Sequence, residues 1–164
     1  MADDAFNCVI EIPKGSRNKY EYDHELGTIK LDRFLFSSVV YPTDYGFIPD
    51  TLSLDGDPLD VCVCVSEPTF PGCTILVKPI ALFRMEDDKG IDDKVLCVPL
   101  SDPQWNWHEQ LDDLPKQLQD EIAHFFSIYK DLERKKVRVD GWYPRADAVA
   151  EIEESRKRFV ETGD

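Results

Sequence analysis

Asp55-Gly56-Asp57-Pro58-Leu59-Asp60 runs directly into Val61-Cys62-Val63-Cys64-Val65, an acidic turn feeding an apolar strand. Gly, Pro and Asp punctuate turns, and a short run of β-branched and small apolar residues reads as a buried strand. The junction holds three carboxylates at the mouth of a core strand. At ~5 Å and an effective dielectric of about 20, two carboxylates repel by roughly 3 kcal/mol. Three together need a proton or a cation between them. Oxygen-only ligands favour a hard divalent ion, Mg2+, Mn2+ or Ca2+, over zinc. A plain acidic β-turn is the competing reading. An EF-hand loop fails on spacing, because counting from Asp55 puts Asp60 where Gly is required and Ser66 where Glu is required.

Outward from this junction, residues 8–12, 19–23, 28–34, 60–65, 74–85, 94–100 and 136–143 are short, rich in β-branched or aromatic residues, and separated by Gly, Pro and Asp turns. These strands predict a barrel. Between Leu114 and Leu132, the apolar positions Leu118, Ile122, Phe125 and Tyr129 step by three or four after Pro115, the pattern of an amphipathic helix. A second helix is expected over about 146–160, with a thinner stripe of Ala148, Ile152 and Phe159. The expected class is α+β dominated by β, an OB-like small closed β-barrel with two flanking α-helices.

A chain of 164 residues with 42% hydrophobic content can bury one core, and residues 1–164 are read as a single domain. It contains no apolar run long enough to cross a membrane. The start, Met1-Ala2-Asp3-Asp4, lacks the basic and apolar segments of a secretory signal, so a cytoplasmic location is expected. Cys8, Cys62, Cys64, Cys73 and Cys97 are odd in number and contain no Cys-x-x-Cys pair, which fits neither a disulfide framework nor a zinc site. Nineteen basic against 33 acidic residues give a net charge of −14, which argues against nucleic acid or an acidic membrane as partner.

More carboxylates flank the aromatic segment Tyr41-Pro42-Thr43-Asp44-Tyr45-Gly46-Phe47. Glu11 is a charge inside an otherwise apolar strand, and Lys19, Glu21 and Asp23 share one strand face. The stretch 84–94 carries five acids around Lys89-Gly90, a pattern also found in solvated hairpin tips. Tyrosine hydroxyls, arginine and lysine bind phosphate, and here they alternate with metal-type carboxylates. An acidic chain holds a highly anionic substrate only when metals first neutralise its carboxylates.

The acidic hexapeptide with Val61 resembles the signature of family I soluble inorganic pyrophosphatases. The resemblance extends over roughly 8–143 and includes Val9-Ile10-Glu11-Ile12-Pro13, Lys19-Tyr20-Glu21, Leu31-Asp32-Arg33-Phe34, Tyr41-Pro42, Tyr45-Gly46, Thr51-Leu52-Ser53-Leu54 and His124-Phe125-Phe126 with Tyr129-Lys130-Asp131-Leu132. The length is similar to that of the short bacterial branch, which implies a cytoplasmic homohexamer. The family's OB-like barrel agrees with the strand pattern. The implied enzyme is an Mg2+-dependent inorganic diphosphatase, with several ions per site and Mn2+ or Zn2+ able to substitute. It cleaves pyrophosphate into two orthophosphates and so drives biosynthetic reactions that release pyrophosphate.

The resemblance carries roles position by position. Asp55, Asp60 and Asp92 are implied ligands of the tightest ion, Asp87 and Asp92 of one that arrives with substrate, and Glu11 of a further ion. Glu21 matches an active-site carboxylate acting through metal-bound waters, and Asp88 stands where many relatives carry Glu. Lys19, Arg33, Tyr129 and Lys130 are implied phosphate contacts, with Tyr41, Tyr45 and Lys94 completing the wall by contact or hydrogen bond. Asp57 is the implied general base for a metal-activated water. The rival classes are a different metal-dependent phosphoesterase and a non-catalytic OB-type binding module. The second calls for a basic aromatic sheet face, which a charge of −14 opposes.

Overall fold

The computed structural model describes residues 4–162; Met1-Ala2-Asp3 of the acidic start and the last two residues of the expected 1–164 domain lie outside the described residues. In chain order the elements are β1 (Phe6–Ile12), β2 (Asn18–Asp23), β3 (Thr28–Phe34), β4 (Asp44–Phe47), β5 (Asp60–Val63), β6 (Thr74–Asp87), β7 (Gly90–Ile91), β8 (Lys94–Pro99), α1 (Lys116–Ile128), β9 (Arg138–Pro144) and α2 (Arg145–Glu161). Short 3-10 turns occupy Leu111–Asp113 and Asp131–Glu133.

The strand β1 pairs antiparallel with β4 on one side and with β6 on the other, so the order β1-β4-β5-β8-β6 returns to its start. This closed ring of five strands is the expected small barrel, and β7 and β9 attach along the long β6. Two expectations change. The strands β2 and β3 form a separate two-stranded sheet rather than part of the ring. The fifth ring member, β4, comes from the aromatic segment, where Pro42, Gly46 and Pro49 mask its strand character. Pro79 sits inside β6 at a register shift, where its missing N–H is tolerated.

Strand patterning follows from what covers each face. In β1, Phe6, Cys8, Ile10 and Ile12 are buried and the intervening residues are less so, the period of a half-buried strand. Every residue of β8 is buried, because Leu96 and Val98 enter one apolar cluster and Val95 and Cys97 the other. Cys62 and Cys64 pack on the α1 side as small buried side chains. Ile122, Phe125 and Phe126 seat α1 on that cluster, and Ala148 and Ile152 seat α2 on its counterpart. The helix α1 starts after Pro115 and ends at Ile128, short of the expected stripe, so Leu132 is exposed.

Gly46 sets how closely β4 approaches β1. It pairs with Ile10, and a Cβ there would lie 1.9 Å from the Val9 carbonyl oxygen, with backbone rather than a flexible side chain in the way. Gly46→Ala is expected to lower stability by roughly 3 kcal/mol or more, about 10 °C in thermal midpoint. Thermal unfolding followed by circular dichroism checks this, and an unchanged midpoint would show that the ring can widen.

Candidate active site

One end of the barrel opens into a cleft of about 400 Å3 whose walls come from the six strands β1 to β6 and from the turns around them. Glu11 stands near the end of β1, Lys19 and Glu21 on β2, Asp32 and Arg33 on β3, and Tyr45 on β4. The acidic turn supplies Asp55, Asp57 and Asp60, and the β6–β7 hairpin tip supplies Asp87, Asp88 and Lys89. Asp92 precedes β8, and Tyr129 and Lys130 follow α1. Thus Asp57 and all seven carboxylates expected to bind metal face one volume, together with Lys19, Arg33, Tyr45, Tyr129 and Lys130.

Tyr41 and Lys94 stand behind the wall rather than on it. Tyr41 is buried with its ring against Tyr45 and Phe125. The Lys94 ammonium is 1% exposed and donates to the Tyr45 hydroxyl at 2.7 Å and to Asp60 at 3.0 Å, with Asp92 Oδ2 at 3.1 Å. Lys130 Nζ likewise donates to Asp87 at 3.2 Å. His24 lines the rim with its ring edge-on to Tyr22, and His108 and His124 are absent from the lining.

The acidic turn is held by its own backbone. Ser53 N–H donates to the Asp57 carbonyl at 2.7 Å, Gly56 N–H to Ser53 at 3.1 Å, and Asp57 N–H to Asp55 Oδ1 at 3.1 Å. Gly56 has φ of 92°, a conformation that side chains disfavour and that lets the turn fold back.

Electrostatics shows what the cleft lacks. Among the described residues it is lined by nine carboxylates and five basic side chains, so it repels an anionic substrate unless positive charge is added. Burial, reinforced by the charges of Asp92 and Asp57, pushes Asp55 up to about 6. Burial likewise raises Glu11 to about 7, against a hydrogen bond from the Tyr22 N–H at 2.8 Å. Asp60 is raised well above the carboxylate range by burial, while Asp92, also opposed by burial, is held low by Lys94. Asp92 Oδ1 is buried without a hydrogen-bond partner.

Among the described residues no three His, Cys, Asp or Glu already converge as a cage, and the ammonium groups of Lys94 and Lys130 stand among the acids instead. Raised carboxylates, an orphan Asp92 oxygen and an all-oxygen donor set fit a hard divalent cation. Asp32, Lys89 and Lys135, which have no role among the expected site residues, also line the cleft. Asp32 lies within the Leu31-Asp32-Arg33-Phe34 motif and Lys89 at the centre of the acidic stretch 84–94, whereas Lys135 carries no local signal.

A family model described as inorganic pyrophosphatase matches residues 8–160. The inorganic pyrophosphatase of Methanosarcina acetivorans is 60% identical over 94% of this chain and 92% of its own length. That of Streptomyces coelicolor is 55% identical over 96% and 98% respectively. The crystal structure of inorganic pyrophosphatase from Thermus thermophilus superposes with a TM-score of 0.94 at 45% identity, covering 97% of this chain and 93% of that one.

Lys94→Met removes the shared ammonium and leaves Asp60 and Asp92 facing each other. In chelator this is expected to cost about 3–5 kcal/mol, on the order of 10 °C in melting temperature. Added Mg2+ should stabilise the variant more than the wild type. An unchanged midpoint in chelator would show that the pair does not need Lys94.

Proposed function

Because the chain belongs to the inorganic pyrophosphatase family and hydrolyses pyrophosphate, we propose that this cleft performs the reaction with bound Mg2+ and with Asp57 as general base. The observation that carries this reading is the convergence of Asp57, seven further carboxylates and the phosphate-type groups Lys19, Arg33, Tyr129 and Lys130 on one cleft.

Asp55, Asp60 and Asp92 are the central ligands in this reading, with Asp87, Asp88, Glu11 and Glu21 facing the same volume. When bound there, Mg2+, or Mn2+ or Zn2+ in its place, supplies a Lewis acid for phosphoryl oxygens and a water of lowered pKa. Asp57 is exposed, and its carboxylate is free to take the proton of the attacking water. Lys19, Arg33 and Lys130 neutralise the phosphate oxygens, and the latter two offset the charge that develops on the leaving phosphate. The hydroxyls of Tyr45 and Tyr129 face the same oxygens, and Lys94 and Tyr41 fix Tyr45 from behind. No covalent enzyme intermediate is needed, because water attacks phosphorus directly.

The reading extends to residues 1–164 acting as one domain of a cytoplasmic homohexamer. The Phe34 and Phe36 rings pack at 5.6 Å while both side chains remain exposed, which supports a contact between copies. Among the described residues no helix is long and apolar enough to cross a membrane.

Orthophosphate release from pyrophosphate is expected to be fast with Mg2+, abolished by excess EDTA and barely supported when ATP replaces pyrophosphate. Asp57→Asn should retain metal binding and lose roughly 100-fold or more in kcat. A near wild-type kcat would remove Asp57 from the role of base, and efficient ATP turnover would move the reading to a broader phosphoesterase.

A further inference from the structure

Arg33 is held from two sides. It lies on β3, in the small sheet that does not join the barrel. Its Nη1 donates to Asp32 on the same strand, and its Nη2 lies 2.9 Å from Glu133 Oε1. Glu133 belongs to a different part of the chain, the 3-10 turn immediately after Tyr129 and Lys130, and its N–H donates to the Lys130 carbonyl at 3.0 Å. The following residue, Arg134, has φ of 60° and turns the chain away directly after Glu133.

The Glu133 side chain is 5% exposed, and its Oε2 is buried without a hydrogen-bond partner. Burying a carboxylate with one oxygen unsatisfied costs stability, so this pair is a poor device for holding the fold together. It is a good device for fixing a direction. A guanidinium has five N–H groups in a planar fork, and engaging one on each terminal nitrogen still leaves one on each for another acceptor. Arg33 is partly exposed at 22% and lines the cleft, so those remaining donors are available to phosphate oxygens.

We propose that Glu133 is a positioning residue for pyrophosphate hydrolysis: it clamps Arg33 to the turn that carries Lys130, so that two cations from separate elements address the same substrate. Without the clamp, the small sheet bearing Lys19 and Arg33 loses one of the ties that set its distance from Tyr129 and Lys130. The charge of Glu133 also raises the Arg33 pKa against the opposing effect of burial, consistent with a guanidinium kept charged at the cleft wall.

This inference rests on Arg33 being a phosphate contact, and the test separates the two. Steady-state kinetics at saturating Mg2+ and thermal unfolding are measured for Glu133→Ala, Glu133→Gln, Arg33→Lys and both double variants. Glu133→Ala is expected to lose roughly 10–100-fold in kcat/KM, mainly through KM for pyrophosphate, while its melting temperature stays near that of the wild type. Glu133→Gln keeps an acceptor oxygen and should lie between the two. In the Arg33→Lys background both effects should shrink, because an ammonium lacks the planar fork with which Arg33 faces Asp32, Glu133 and the substrate together. Should the alanine variant not fold, the glutamine cycle carries the same comparison. A Glu133→Ala enzyme within twofold of wild type, or a loss that adds in full to that of Arg33→Lys, overturns the clamp. An Arg33→Met enzyme, measured alongside, with unchanged kcat/KM overturns the phosphate-contact reading itself, and the clamp with it.

Discussion

The Lys94 ammonium, sealed between Asp60 and Asp92, is where the fold and the site become the same problem. Asp60 opens β5 and Lys94 opens β8, and the two are register partners in the ring's parallel pair. The register that closes the barrel therefore brings a buried cation against a half-buried acid. A one-residue slip would turn the Lys94 side chain to the opposite face of the sheet. The acidic turn feeds β5 and the Asp92 segment feeds β8, so both carboxylate groups reach the cleft from one end of one strand pair. Lys94 itself is kept charged because the two acids outweigh the burial that opposes it.

What could be read in the sequence was mostly what is local. The acidic hexapeptide was legible because turn residues and carboxylates adjoin an apolar run, and α1 because its stripe repeats at helical spacing. The strand β4 was not, since Pro and Gly in its surroundings speak for a loop, and only its pairing with β1 and β5 makes it a strand. The separation of β2 and β3 from the ring was hidden for the same reason, because alternation says that a strand exists and not which neighbour it finds. Glu133 left no trace because its meaning lies in Arg33, far away along the chain. Lys94 was legible as a member of the site, but its place behind the wall, reaching the cleft through Tyr45, depends on burial that no local pattern encodes.

A net charge of −14 opposes a general affinity for polyanions and still permits one polyanion at one place. The cations that matter are few and directed. Lys130 points at Asp87, Lys94 at Asp60 and Asp92, Lys19 at Asp32, and Arg33 at Asp32 and Glu133, so each of these four basic groups has an acid that sets its direction. Such a cleft is organised by internal ion pairs before any substrate arrives. Adding divalent cations changes its sign locally while the rest of the surface keeps its negative field.

The acids also divide by exposure, in the way that the roles proposed for them require. Asp87, Asp92 and Asp60 have side chains 4%, 9% and 20% exposed, whereas Asp57, two or three residues away from Asp55 and Asp60 in the same turn, is 56% exposed. A ligand carboxylate gains from low dielectric, because its attraction to a cation strengthens as water is excluded. A general base has the opposite requirement, since it must return its proton to solvent in every cycle. The turn meets both needs by holding the Asp57 backbone at both its N–H and its carbonyl while leaving its carboxylate in water, where the likewise exposed Lys89 at 3.7 Å is its one salt-bridge partner among the described residues. An exposed pair of that kind is weak and easily exchanged. Of the three carboxylates in the hexapeptide, that of Asp57 is the least tied, which suits the base role proposed for it.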